Sequence, residues 1–175
     1  MRRDGLGYRQ LTGTARGFAW MLVAVVLGMP SLVVGQEAEW IWWADHPKAE
    51  VPETVCHFRK SFTAEHPESC RIEMVADDEF ELFVNGRRIG RGNSSKRLAS
   101  FDVSAHIKPG RNTVAVWVSN RTGSTAALAA RVMVKERESG WVSHSTNDSW
   151  LSSLNALPLW NTSVYTDRRW KASQS

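Results

Sequence analysis

From residue 39 to residue 145 the chain alternates apolar and polar positions with a period of two, in short runs separated by turn residues. The runs 39–43 (EWIWW), 54–62, 70–76, 79–84, 87–91, 98–103, 112–119, 125–134 and 141–145 each predict a strand. In 112–118, Val114, Val116 and Val118 share one face and Thr113, Ala115 and Trp117 the other, which predicts a strand covered on both sides. In 70–76, Ile72, Met74 and Ala76 share a face while Arg71 and Glu73 point away. No long run has a strong helical period. The best short candidate is Ser104–Ile107, with Ser104 as the cap of a single turn. Many short strands joined by tight turns predict an all-β, antiparallel β-sandwich or jelly roll.

Two turns anchor this pattern. Asn85-Gly86 stands between alternating runs, the residue pair that a two-residue type I′ hairpin requires. Such a loop sets Val84 opposite Arg87, Phe83 opposite Arg88 and Leu82 opposite Ile89. Leu82 and Ile89 then share the core face, and Arg88 lies over the Phe83 ring. Pro109-Gly110 predicts a type II turn into the next strand. The stretch LFVNGRRIGRG (82–92) is rich in arginine and glycine, but no helix follows it, so a phosphate-binding loop is disfavoured.

Residues 1–35 read differently. Arg2, Arg3, Arg9 and Arg16 precede an apolar run, Phe18–Val34, and small residues follow it. This predicts a secretory signal peptide, with an uncleaved N-terminal anchor as the alternative. The whole chain carries a net charge of +4, but four of its 22 basic and one of its 18 acidic residues lie in 1–35. The remainder is near neutral, which removes the electrostatic case for nucleic acid. The expected organisation is a leader (1–35), a β-sandwich module (36–146) and a Trp-rich C-terminal extension (147–175). That extension either completes the module or leads to a further domain. The expected location is secreted, periplasmic or cell-surface, without a membrane contact once the signal is cleaved.

The extension repeats one device. Asn147 stands three before Trp150, and Asp167 three before Trp170, predicting two exposed surface turns pinned by tryptophans. Cys56 and Cys70 could pair in an oxidising compartment or stay as buried small hydrophobes. The five histidines show no metal-ligand spacing, and there is no G-x-S-x-G, H-E-x-x-H or Walker pattern. Asp77-Asp78-Glu79 offers oxygen ligands, so Asp77 and Asp78 are the candidates for a structural calcium ion; no other cofactor is expected. Trp40, Trp42 and Trp43 suit an N-terminal strand that closes the sandwich. The aromatic platforms for stacking on a sugar ring are Trp42, Trp43 and Trp117.

The segments FRKSF (58–62), IEMVADDEFELFVNGRRIGRG (72–92), FDVSAHIKPGRNTVAVWVSN (101–120) and AALAARV (126–132) resemble a known family. They are similar to the galactose-binding-like jelly-roll modules at the N-terminus of family 2 β-glycosidases and bacterial α-L-rhamnosidases. The Trp40-Ile41-Trp42 opening and the Thr166-Asp167…Trp170-Lys171 ending match as well. The resemblance implies a non-catalytic module whose partner is an oligo- or polysaccharide. It also implies a covalently linked downstream domain, with the catalytic acids in a separate barrel. Because turns and core positions carry the resemblance, it speaks for the fold more than for a ligand.

Overall fold

The computed structural model describes residues 37–45, 51–93, 95–123 and 125–175. The predicted leader lies outside these residues. Ten strands form among them: β1 (Thr54–Ala64), β2 (Pro67–Asp77), β3 (Glu79–Val84), β4 (Arg87–Gly92), β5 (Ala99–Asp102), β6 (Gly110–Asn120), β7 (Ala127–Glu136), β8 (Gly140–Ser145), β9 (Leu151–Ser153) and β10 (Lys171–Ala172). They make two antiparallel sheets, one in the order β10-β9-β1-β6-β3-β4 and one in the order β5-β2-β7-β8. The protein is therefore a β-sandwich of the predicted class.

The alternation fixes which residues meet between the sheets. Phe58, Leu82, Val84, Val114, Val116 and Val118 face inward from the larger sheet, against Ile72, Met74, Leu128, Val132 and Val134 of the smaller one. Each such side chain contributes roughly 1.5–3 kcal/mol by leaving water. Cys56 and Cys70 are free and buried. Burial drives both thiols up, Cys70 to about 12 with a further push from Asp102, so neither is a reactive thiolate.

Three local expectations change. The run 39–43 forms only single bridges, Ile41 to Leu128 and Trp42 to Gln174. Its two partners belong to opposite sides of the sandwich, so no continuous ladder can form. Ser104 begins a 3₁₀ turn (Ser104–His106) but does not cap it. Instead its backbone N–H and hydroxyl both donate to Asp102 Oδ1, at 3.0 and 2.6 Å, and its hydroxyl oxygen accepts the Cys70 N–H at 2.9 Å. The third change concerns the hairpin. Asn85 and Gly86 have φ of +50° and +87°, the two left-handed positions of a type I′ turn. Val84 faces Arg87 and Phe83 faces Arg88, but the register then shifts and Leu82 faces Gly90. Ile89 is the extra residue of a β-bulge. Nor does Arg88 lie over Phe83: its Nη2 meets Glu81 Oε1 at 2.5 Å.

Asn85 ties this turn to its surroundings. Its amide donates to His106 O and Asn112 Oδ1, both at 2.8 Å, and its Oδ1 accepts the Thr113 N–H at 2.9 Å. Asn112 in turn holds Lys108 and Gly110, which closes the turn through Pro109 and Gly110 (φ +86°). Both turns are thereby fixed to the start of β6.

The C-terminal residues are not an exposed tail. Strands β9 and β10 extend the larger sheet beyond β1. Trp150 is fully buried, with its indole N–H donating to Ser145 O at 3.0 Å, and Trp170 is 8% exposed. The two turns do close as backbone bonds from Trp150 to Asn147 (3.1 Å) and from Trp170 to Asp167 (2.9 Å). Between β9 and β10 the chain folds back over the outer face of the larger sheet. There it covers Arg59, which is 1% exposed. Arg59 donates to the carbonyls of Trp160 (2.7 Å) and Thr162 (3.3 Å), and its Nε lies 3.3 Å from Asp167 Oδ2. Its guanidinium carbon sits 5.1 Å from the Tyr165 ring centre and 5.8 Å from that of Trp170. Trp160 stacks on Trp170 at 6.0 Å and meets His57 and Phe83 edge-on at 4.8 and 5.7 Å.

Three predictions follow from this packing. Gly86→Val places a branched side chain at positive φ and drives its Cβ to about 2.9 Å from the Thr162 methyl of the covering segment. It should cost roughly 1–3 kcal/mol, seen as a drop of several degrees in Tm; an unchanged Tm would show that the turn is not as described. Arg59→Ala removes the charge that holds residues 160–167 down. A loss of about 3 kcal/mol is expected, the low end for a broken buried pair because Asp167 keeps some contact with water. Limited proteolysis should then cut between residues 155 and 170 before it cuts elsewhere.

The third concerns pH. Burial holds the pKa of His57, beneath Trp160, below 6.5. His144, stacked on Phe62, is lowered by burial and then by the charge of Lys60. The unfolded chain therefore binds protons more readily than the folded one near pH 6.5. Stability should fall as pH drops through about 6.5 and level off below the lowered folded values. Glu68, Asp78 and Asp102 are lowered carboxylates, so their contribution is lost only at more acid pH, below about 4. Thermal melts at pH 7.5 and 5.5 read the histidine window, and His144→Gln should flatten the difference.

Candidate functional site

The outer face of the larger sheet has two halves. The C-terminal segment covers one, above His57, Arg59 and Phe83. The other half holds an open recess of about 410 Å³ lined by Glu79, Phe80, Glu81, Arg91, Gly92, Asn93 and Trp117.

Strand register builds this recess. Trp117 of β6 stands opposite Glu81 of β3, and Glu81 stands opposite Arg91 of β4. The three side chains make one row across the sheet, with His57 of β1 on the far side of Trp117. The bulge at Ile89 is what brings Arg91 into the row. It also turns Gly90 and Gly92 inward, where a Cβ on either would collide with the ring of Phe101 or Phe80. These two glycines make room for aromatic rings and take no part in an anion loop. Within the recess Glu81 is held by Arg88, and Glu79 lies 3.6 Å from Arg121. The result is an aromatic surface bordered by carboxylates, a guanidinium and an amide, all open to solvent. Such a surface can stack on the apolar face of a ring and hydrogen-bond its rim.

The other predicted site residues lie elsewhere. Trp42 is a core residue, 5.6 Å from the Phe58 ring, and its remaining exposed edge lines the N-terminal pocket. Trp43 is half-buried with the Lys171 ammonium 6.0 Å from its ring centre. It lines an apolar pocket of about 200 Å³ with Trp40, Val51 and Ala126, at a different place from the Trp117 recess. Trp117 is joined by Glu79, Glu81, Arg91 and Asn93, whereas the pocket at Trp43 has Thr125, Gln174 and Ser175 among its lining.

Asp77 ends β2 and Asp78 follows it, against Arg121, Thr122 and Thr125. Asp78 accepts the N–H groups of Arg121 (2.7 Å) and Thr122 (3.1 Å), and Asp77 accepts the Thr125 hydroxyl at 2.9 Å. Burial pushes Asp78 up, but the bonds from Arg121, Thr122 and Asp77 outweigh it and hold its carboxyl below the usual range. Among the described residues, no group of three or more His, Cys, Asp or Glu is placed to hold a metal.

Sequence reasoning missed Glu81, Arg91 and Asn93 as neighbours of Trp117. The period-two pattern places Glu79, Glu81 and Trp117 on outward positions. Arg91 could not be placed that way, because the unbulged register puts it on the opposite face.

No protein-family model matches the chain, and no curated protein matches it. Solved structures do. The chain is similar to part of an α-L-rhamnosidase from Streptomyces avermitilis complexed with L-rhamnose, with a TM-score of 0.73 and 23% identity over 78% of this chain and 14% of that one. A Pleurotus ostreatus lectin in complex with GalNAc gives 0.72 and 24%, over 78% of this chain and 42% of the lectin. A family GH78 rhamnosidase of Bacillus sp. GL1 gives 0.65 and 23%, over 81% and 18%. The chain thus spans less than half the length of each of these three proteins. The fold is the galactose-binding-like β-sandwich that occurs as part of these larger proteins.

Proposed function

We propose that this chain is a non-catalytic carbohydrate-binding module, exported, and an accessory part of a larger glycosidase-type protein. The Trp117 recess carries the reading, since it joins a half-buried indole to Glu79, Glu81, Arg91 and Asn93 on the outer face of the sheet. The lectin and rhamnosidases of the same fold, described with GalNAc and L-rhamnose, support a saccharide as the ligand. The described residues present none of the sequence patterns of a nucleophile or metal hydrolase, and none of their helices is long and apolar enough to cross a membrane. The oxygen ligands at Asp77 and Asp78 suit a hard cation such as calcium, which would have to draw its remaining ligands from backbone, hydroxyl and water oxygens.

A second reading rests on the covering segment. Leu157, Leu159 and Val164 are 62, 64 and 79% exposed on it. A module that orients a neighbouring domain would use such a surface, with or without a sugar.

Affinity electrophoresis of the purified protein through a panel of polysaccharides, with calcium and with a chelator, tests the first reading. At least one polymer should retard the protein. Trp117→Ala should weaken that retardation at least roughly tenfold, about 1.4 kcal/mol, while Trp43→Ala leaves it intact. Loss with Trp43→Ala and not with Trp117→Ala would move the site to the N-terminal pocket.

A further inference from the structure

We infer that the recess selects an anionic saccharide, a uronic-acid-type pyranose whose ring lies on Trp117 and whose carboxylate is taken by Arg91. This rests on the carbohydrate-binding reading and specifies its ligand.

Charge distribution within the recess carries the argument. Three charged side chains line it, Glu79, Glu81 and Arg91, and Arg88 and Arg121 reach the two carboxylates from outside the lining. Glu81 is matched by Arg88 at 2.5 Å and Glu79 by Arg121 at 3.6 Å. Arg91 forms no ion pair and no side-chain hydrogen bond with a described residue. The carboxylate directly opposite it, Glu81, is already committed to Arg88. One positive charge is therefore left over at the edge of the aromatic surface. A guanidinium fork of this kind binds a planar carboxylate through two parallel hydrogen bonds.

The spacing fits the same ligand. Trp117 and Arg91 lie in one row, separated by the single strand β3. Their backbones are two strand spacings apart, roughly 10 Å. Both side chains are long and outward-facing, so a ring placed on the indole can direct a C5 carboxylate toward β4. Asn93 stands at the same end with an amide for a ring hydroxyl. A neutral sugar would leave Arg91 without a partner in the complex, whereas a uronate pairs it.

Isothermal titration of the purified protein with oligogalacturonate and with its methyl ester tests the inference, because the ester removes the charge and adds only a methyl group per residue. The acid should bind at least roughly tenfold tighter than the ester at low salt, and the gap should narrow at high salt. Arg91→Gln should erase the gap between the two probes, whereas Trp117→Ala should weaken both and keep the gap. Equal affinity for acid and ester, untouched by Arg91→Gln, overturns the inference while leaving the carbohydrate-binding reading in place. Equally tight binding of polyglutamate, which carries charge without a pyranose, overturns it as well. If neither these probes nor any neutral saccharide bind, both readings fall.

Discussion

One inserted residue, Ile89, governs how the hairpin serves the rest of the sandwich. Side chains on a strand alternate between faces, so a single extra residue exchanges the faces of everything beyond it. Past the bulge, Gly90 and Gly92 point inward and Arg91 outward. Phe80 and Phe101, 6.3 Å apart and edge to face, fill the room that the two glycines leave. Without the shift, Arg91 would be carried toward the core, where an unpaired charge is intolerable, and the recess would lose its cation. The bulge therefore links core packing to surface chemistry through one backbone irregularity.

Arg59 decides the extent of that surface. It projects from the outer face of β1, a face that would otherwise be solvated, and it is nearly inaccessible because residues 154–170 fold over it. A buried guanidinium needs an opposing charge and hydrogen-bond acceptors. Two backbone carbonyls accept from Nη1 and Nη2, Asp167 supplies the opposing charge 3.3 Å from Nε, and the rings of Tyr165 and Trp170 flank the cation. The aromatic cover adds area that a short loop could not bury. Thr162 reaches the hairpin tip at Gly86, so the cover spans from β1 to β3. It stops short of the row formed by Trp117, Glu81 and Arg91. The open half of the face exists because the covering segment is anchored at Arg59 and turns back there into β10.

Most of the sandwich was legible from alternation and turn residues, because strands and tight turns are specified locally. The two faces of 112–118 and the inward set Ile72, Met74 and Ala76 could be read directly, as could the Asn85-Gly86 tip. What could not be read depends on distant partners. Nothing around Ile89 marks a bulge until Phe80 and Phe101 are seen resting on Gly92 and Gly90. The tryptophans of 147–170 look like surface markers in sequence, since the strand that buries them lies roughly a hundred residues earlier. Trp42 and Trp43 are adjacent and chemically alike. Alternation sends one to the core and leaves the other half-buried, and only the partners across the sheets decide which.

The recess differs in kind from the features that carry the likeness to rhamnosidases and the lectin. Turns and inward-facing residues define the sandwich, and the likeness at 22–24% identity is one of fold. Outward-facing residues are under no such constraint, so a shared sandwich does not imply a shared ligand. The chemistry of this chain has to be argued from its own outer face. There the pairing of Glu81 with Arg88 and of Glu79 with Arg121 leaves Arg91 as surplus. A neutral module of this fold would gain nothing from a cation that no described residue pairs, beside a half-buried indole. An anion-binding one needs that pair of groups, two strand spacings apart and presented from one face of the same sheet.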